Sequence, residues 1–420
     1  MRTISILGLP ILAALAASAP AAAVTVSPTG VRFPQVAINA DGATVVAWER
    51  TTRSAFAIEA RAGSSPLKLG RTRRLTSRGY QPQVAIGADG TKAVMWMQLG
   101  ARGTRSLRVA VARPGHHFGR GQLVDRRRAN IAPVGLAVAP SGRVVAIWQR
   151  SASMLGFALA GRGHAFGRPR NLATTGGGAT IAVDPRDGTV LVAYGTRPTF
   201  APPSNQRVAV RTLSRSGSAF SAPLLLSAGT GSFFDARPVA ISGPGGSGVA
   251  FTLTGDPYAL SLARRHADGS WAAAERIAIA NYGEAVFPVG LRATLPSDGS
   301  AVAAWTIDSQ SSGLGGSVSS RTVASIASPS APFGMPQALT PTGTRHYDTP
   351  AVASAGGEAF VASAEPHGPV LLATRSAGAS SFVTTSLTAA GDGDVLLAAA
   401  GRHVVAVYQR GDRLRLTVVR

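Results

Sequence analysis

The residues best suited to chemistry are aromatic rings beside acids. Phe233-Phe234-Asp235, Tyr282-Gly283-Glu284 and Arg345-His346-Tyr347-Asp348 recur along the second half of the chain, and Tyr80 stands in a corresponding stretch upstream. A ring can stack on the apolar face of a sugar while a neighbouring carboxylate binds hydroxyls or works as a general acid or base. The same residues also suit plain packing, with the ring on an adjacent strand and the acid capping a turn. Arginines form the second set, in two groups: Arg71, Arg73, Arg74 and Arg78, then Arg126, Arg127 and Arg128. A guanidinium grips sulfate, phosphate or carboxylate through paired hydrogen bonds. Histidines offer less. His116, His117, His164 and His266 fall in Gly/Ser-rich turns, no pair shows zinc spacing with a third ligand, and no metal or other cofactor is expected. The absence of cysteine excludes disulfides, thiolate metal sites and cysteine nucleophiles.

The elements that must position these residues are announced by a recurring phrase. Pro34-Gln-Val-Ala-Ile-Asn-Ala-Asp-Gly42 leads into Trp48, and Pro82-Gln-Val-Ala-Ile-Gly-Ala-Asp-Gly90 leads into Trp96. Further copies run from Pro133 to Trp148 and Thr180 to Tyr194. Weaker ones run from Pro238 to Phe251, Pro288 to Trp305, Pro350 to Val361 and Val395 to Tyr408. Trp48 and Tyr408 lie 360 residues apart over seven intervals, a period near 51. The pattern inside each unit is two apolar runs around an Asp-Gly type turn, a third alternating run such as Leu107–Arg113, and a fourth after a Gly/Ser-rich turn and an aromatic. No sustained helical period is present.

Four strands per unit at this period predict an all-β protein: a β-propeller of four-stranded blades. Eight blades are preferred, and seven is the alternative if the divergent region Ser227 to Leu339 holds fewer blades than counted. The last unit ends with three strands at Val418-Val419-Arg420, so Val24-Thr25-Val26 through Phe33 is expected to supply the fourth strand and close the ring. A monomer is expected, because a closed ring leaves no strand edge seeking a partner.

Residues 1–23 read as a signal peptide: Arg2, an apolar stretch from Ile4 to Ala17, and small residues at Ala21-Ala22-Ala23. The propeller then occupies 24–420 and is expected to be secreted or held at the cell surface. No later run approaches the roughly 20 apolar residues of a membrane span. Charge is uneven. From Val24 to Leu172 there are 23 Lys/Arg against 5 Asp/Glu, whereas Ala173 to Arg420 holds 18 against 15. The first three blades therefore carry nearly all of the net +22. A cationic field of this kind draws in polyanions. Loop topology places Arg71, Arg73, Arg74, Arg78 and Arg126–Arg128 on the face reached by the blade-to-blade connections.

Val31-Arg32-Phe33-Pro34, then Asp41-Gly42 and Ala47-Trp48-Glu49-Arg50, resembles the opening blade of sialidases. His266-Ala267-Asp268-Gly269-Ser270-Trp271 partly resembles the Asp-box turn of those propellers. Val31 stands where that family has an aromatic, and the match covers about one blade. The resemblance implies that Arg32 belongs to a triad gripping a substrate carboxylate, with Tyr282 and Glu284 as the first nucleophile pair to consider and Asp348 as a further catalytic carboxylate.

The preferred reading is a binding module for an anionic polysaccharide, wall polymer or glycan. Its expected ligand-binding residues are Arg73, Arg74, Arg78, Arg126, Arg127 and Arg128, with Tyr80, Asp235 and Tyr347. Nucleic acid ranks below these ligands because the chain is expected to be exported. A sialidase-like glycoside hydrolase and a protein-interaction platform are the alternatives.

Overall fold

The computed structural model describes residues 23–420 apart from 54, 129–130, 175–177, 197–206, 228–235, 254–257, 281–285, 311–317, 344–346, 366, 389–390 and 392–393. The expected leader and the residues Asp235, Tyr282 and Glu284 lie outside the described residues.

Eight antiparallel sheets of four strands follow one another as blades. The first is Val31–Ile38, Thr44–Thr51, Phe56–Gly63 and Arg73–Thr76; the second is Gly79–Ile86, Lys92–Leu99, Arg105–Ala112 and Gln122–Arg127. The eighth is Val395–Ala400, His403–Arg410 and Arg413–Val418, with Val24–Thr25 as its outer strand. There Val24 pairs with Leu416, and Ser27 Oγ accepts the Leu414 amide at 2.8 Å. The ring is thus closed by the N-terminal strand, and the count is eight.

Both faces of each blade are buried, which explains strands of Val and Ala with little polar alternation. Eight apolar clusters among the described residues fill the eight seams between neighbouring blades. The second strand carries the largest ring at one repeated step: Trp48, Trp96, Trp148, Tyr194, Phe251, Trp305 and Tyr408 are all buried. Burying such a ring contributes about 3 kcal/mol apiece, so the sequence period and the core are one pattern. Gly42 and Gly90 hold φ of 82° and 79° in the first-hairpin turns, where a side chain would be strained.

Inner strands begin on one face of the ring, here the front, together with the blade-to-blade connections and the second-to-third-strand loops. The first-hairpin and third-to-outer-strand turns occupy the back. Around the back, an acid in the first turn of one blade reaches an arginine at or just past the third strand of the next. Asp89–Arg162 is 3.4 Å, Asp184–Arg265 2.9 Å and Asp298–Arg375 3.0 Å. The channel is apolar toward the back, where Ile38, Ile86, Val138, Val183 and Leu397 line a cavity of about 650 Å³.

Candidate functional site at the front mouth

The polar end of the channel is the front mouth. Its key segment is Val31-Arg32-Phe33-Pro34, at the start of the first inner strand. Pairing there slips between Arg32, opposite Glu49, and Gln35, opposite Ala47. Phe33 absorbs the slip with a left-handed φ of 47° and leaves its ring 58% exposed. A bulky residue held in that region costs of order 1–3 kcal/mol and persists where surrounding structure imposes it.

Blade 2 repeats the device at Gln81, with φ of 52°, and uses it. The Gln81 amide donates to Glu49 Oε1 at 2.5 Å. Glu49 is buried, and burial pushes its carboxyl above the ordinary range against the opposing pull of the Gln81 amide and the Arg32 charge. Arg32 lies over the Phe56 ring at 5.9 Å, and Phe56 meets Tyr80 edge-on at 5.2 Å. Tyr80 therefore supports the ring that carries Arg32, and is half-buried in doing so.

Arg32, Phe33 and Pro34 share a cavity of about 440 Å³ with Asp348, Asp394 and Gln409, from the approaches to blades 7 and 8 and from blade 8 itself. The Asp348 backbone is anchored: its carbonyl accepts from Thr306 Oγ1 at 3.2 Å and its amide donates to the Ala364 carbonyl at 3.3 Å. Burial first, and the neighbouring Asp394 charge second, push the Asp348 carboxyl up from its ordinary 3.8. Gln409 follows Tyr408 as Glu49 follows Trp48, so the mouth is built from equivalent steps of different blades. One guanidinium, two carboxylates, an amide and an exposed ring thus converge, a set able to hold an acidic sugar.

Of the sequence-derived candidates, the structure brings Arg32 and Asp348 to one cavity wall. Tyr347 is 6% exposed, and burial pushes its hydroxyl up. Its ring offers packing in place of the open stacking face expected of it. Arg74 and Arg50 flank the buried Glu59 at 3.5 and 3.1 Å. Arg127 and Arg150 flank Asp125 at 3.4 and 3.2 Å, with Trp148 Nε1 donating to the same carboxylate at 3.1 Å. These arginines are counter-ions to nearly buried acids. Arg73, placed on the front by loop topology, instead lines a crevice on the back together with Arg71. It sits at the start of the outer strand, which runs from back to front, so its end of that strand faces the wrong way. Arg78, Arg126 and Arg128 are exposed on the front rim, and no ion pair involves them among the described residues. Asp394 and Gln409 were missed by sequence reasoning. The signal was the position of Asp394 before the last inner strand, where Asp348 stands one blade earlier.

No protein-family model matches the chain, and no curated protein matches it. Solved structures are similar at low identity. A PL25 ulvan lyase bound to -[GlcA(1-4)Rha3S]- is 11% identical over 94% of this chain and 95% of its own, with a TM-score of 0.47. The BP39L lectin from Burkholderia pseudomallei is 11% identical over 86% of this chain and 100% of its own, at 0.48. The NanB sialidase from Streptococcus pneumoniae is 9% identical over 69% and 67%, at 0.41. At these identities and scores no residue-level correspondence follows.

Proposed function

We propose that the protein is an exported glycan-binding propeller whose front mouth holds an acidic sugar. The carrying observation is the single cavity shared by Arg32, Phe33, Asp348, Asp394 and Gln409. Arg32 pairs with the carboxylate or sulfate of the sugar, Phe33 stacks on its apolar face, and the two aspartates with Gln409 take its hydroxyls. The mouth itself is mixed in charge, because Asp348, Asp394 and the buried Glu49 surround Arg32. The cationic excess lies further out, where Arg78, Arg126 and Arg128 on the rim attract the rest of an acidic chain. A protein-docking role finds less support, since the most exposed large apolar residues, Met335, Val383, Phe33 and Leu67, are scattered over blades 1, 6 and 7.

Glycoside cleavage in the same mouth is the second reading, favoured by the raised Asp348 beside Asp394, a pairing that suits an acid and a base. It lacks the arginine triad that sialidase chemistry needs, because Arg32 is the one arginine lining this cavity among the described residues. A glycan and polyanion array on the form starting at Val24, at low and near-physiological salt and with a fluorogenic sialoside, separates the two. Retention of acidic glycans that weakens with salt, without turnover, supports binding; turnover of the sialoside overturns it.

A further inference from the structure

The back face carries a second and independent site. Between blades 1 and 2 lies a crevice of about 350 Å³ whose walls include Arg71, Arg73, Lys92, His116 and His117, with Asp41 and Asp89 as its acids. Asp89 is already engaged: it accepts from the Thr91 amide and hydroxyl at 3.0 and 2.8 Å and pairs with Arg162 at 3.4 Å. Its charge also acts on Lys92, so the crevice sets two acids, one of them shared with Arg162, against Lys92, Arg71 and Arg73.

Lys92 is the anomaly that turns a basic crevice into a site. It occupies the first step of its strand, four residues before Trp96. The same step in other blades holds Thr44, Val144, Val190, Ser247, Ala301 and Val404, all buried and none charged. Lys92 is itself only 7% exposed, and its ammonium has one long hydrogen bond, to the Gly90 carbonyl at 3.4 Å. It is also one of two lysines in a chain of 40 arginines. A buried ammonium with one long hydrogen bond and the shared Asp89 charge is costly, and such departures from the local rule mark functional positions.

We propose that this crevice binds a tetrahedral oxyanion, the sulfate or phosphate of an ester. Lys92 meets it from the floor and Arg71 and Arg73 from the exposed wall. Three cations around one crevice suit an anion with several oxygens, and the crevice has room for part of the group that carries it. The site is on the opposite face from the mouth and stands or falls without it.

Calorimetric titration with sodium sulfate and with inorganic phosphate, at constant ionic strength set by chloride, tests this. Lys92→Thr installs the residue of blade 1 and should fold as well as the parent, yet lose about tenfold or more in anion affinity. Arg71→Ala with Arg73→Ala, both surface changes, should lose a similar factor, while Arg32→Ala should leave this binding unchanged. Tighter sulfate points to a sulfate ester, and tighter phosphate to a phosphate ester. Wild type binding neither anion above chloride, or both crevice variants binding as wild type, would overturn the proposal.

Discussion

Asp184 and Arg265 stand 2.9 Å apart across the seam between blades 4 and 5, the acid fully enclosed and the guanidinium nearly so. Asp184 also takes Arg186 at 2.7 Å and the Ser247 hydroxyl at 2.6 Å. With Asp298–Arg375 and Asp89–Arg162 in equivalent places, the Asp of the first-hairpin turn becomes a stitch between blades as well as a turn residue. Asp184→Ala leaves Arg265 with only the more exposed Asp187, at 2.9 Å, and should cost about 2–4 kcal/mol in chemical unfolding. A cost under about 1 kcal/mol would mean that the contact is incidental.

Acid should undo these stitches. The Asp184 carboxyl is held far below its ordinary range by hydrogen bonds to Arg186, Ser247 and Arg265 that outweigh its burial. Asp298 is held down to about 2 by Ser300, the Gly378 amide and Arg375, also against its burial. For a lowered carboxylate, stability is fully present above the unfolded value near 3.8 and is lost as pH falls toward the folded one. Thermal unfolding followed from pH 6 to pH 2 should show Tm falling steeply below about pH 4.

Asp348 has the opposite sign. Its raised carboxyl destabilises the fold at neutral pH, and that penalty fades as pH falls through its folded value toward 3.8. Asp348→Asn should therefore match or exceed the wild-type Tm at pH 7, with the difference vanishing near pH 4, while weakening sugar binding. A lower Tm at pH 7 would place Asp348 among the structural acids.

Phe33 also trades stability for exposure of its ring. Glycine tolerates φ of 47° without strain, so Phe33→Gly should be neutral or stabilising by about 1 kcal/mol, with glycan retention lost. Unchanged retention would remove the ring from the site.

Trp96 tests the core. It is enclosed, and a methyl added at Gly121 would come within 2.3 Å of its ring. Trp96→Ala should cost about 3–5 kcal/mol, and Gly121→Ala about 1–3 kcal/mol through overpacking.

The fold was legible because its determinants are local and periodic. A Trp, Tyr or Phe recurs at one step in seven of the eight blades, a tight Gly-containing turn precedes it, and three closing strands call for the Val24–Thr25 strand. The site was legible only in part. Arg32 came from a local motif and Asp348 from a loop beside an aromatic. Their convergence, and that of Asp394 and Gln409, depends on ring closure bringing residue 409 beside residue 32. Charge counting could not say which arginines are paired, for a related reason. Glu59 and Arg74 are 15 residues apart and Asp125 and Arg150 are 25 apart, so their pairing is invisible in a tally of arginines. Lys92 showed no signal until its step could be compared with the buried Thr, Val, Ser and Ala of other blades.

The most direct test is titration of a short uronic-acid or sulfated oligosaccharide into wild type and Arg32→Ala, with its neutral counterpart as control. Wild type should prefer the acidic sugar, and Arg32→Ala should stay folded, with a modest fall in Tm from losing the charge beside Glu49, and lose that preference by about tenfold or more. Equal affinity for acidic and neutral sugars, or an Arg32→Ala variant that binds as wild type does, would contradict binding at the front mouth.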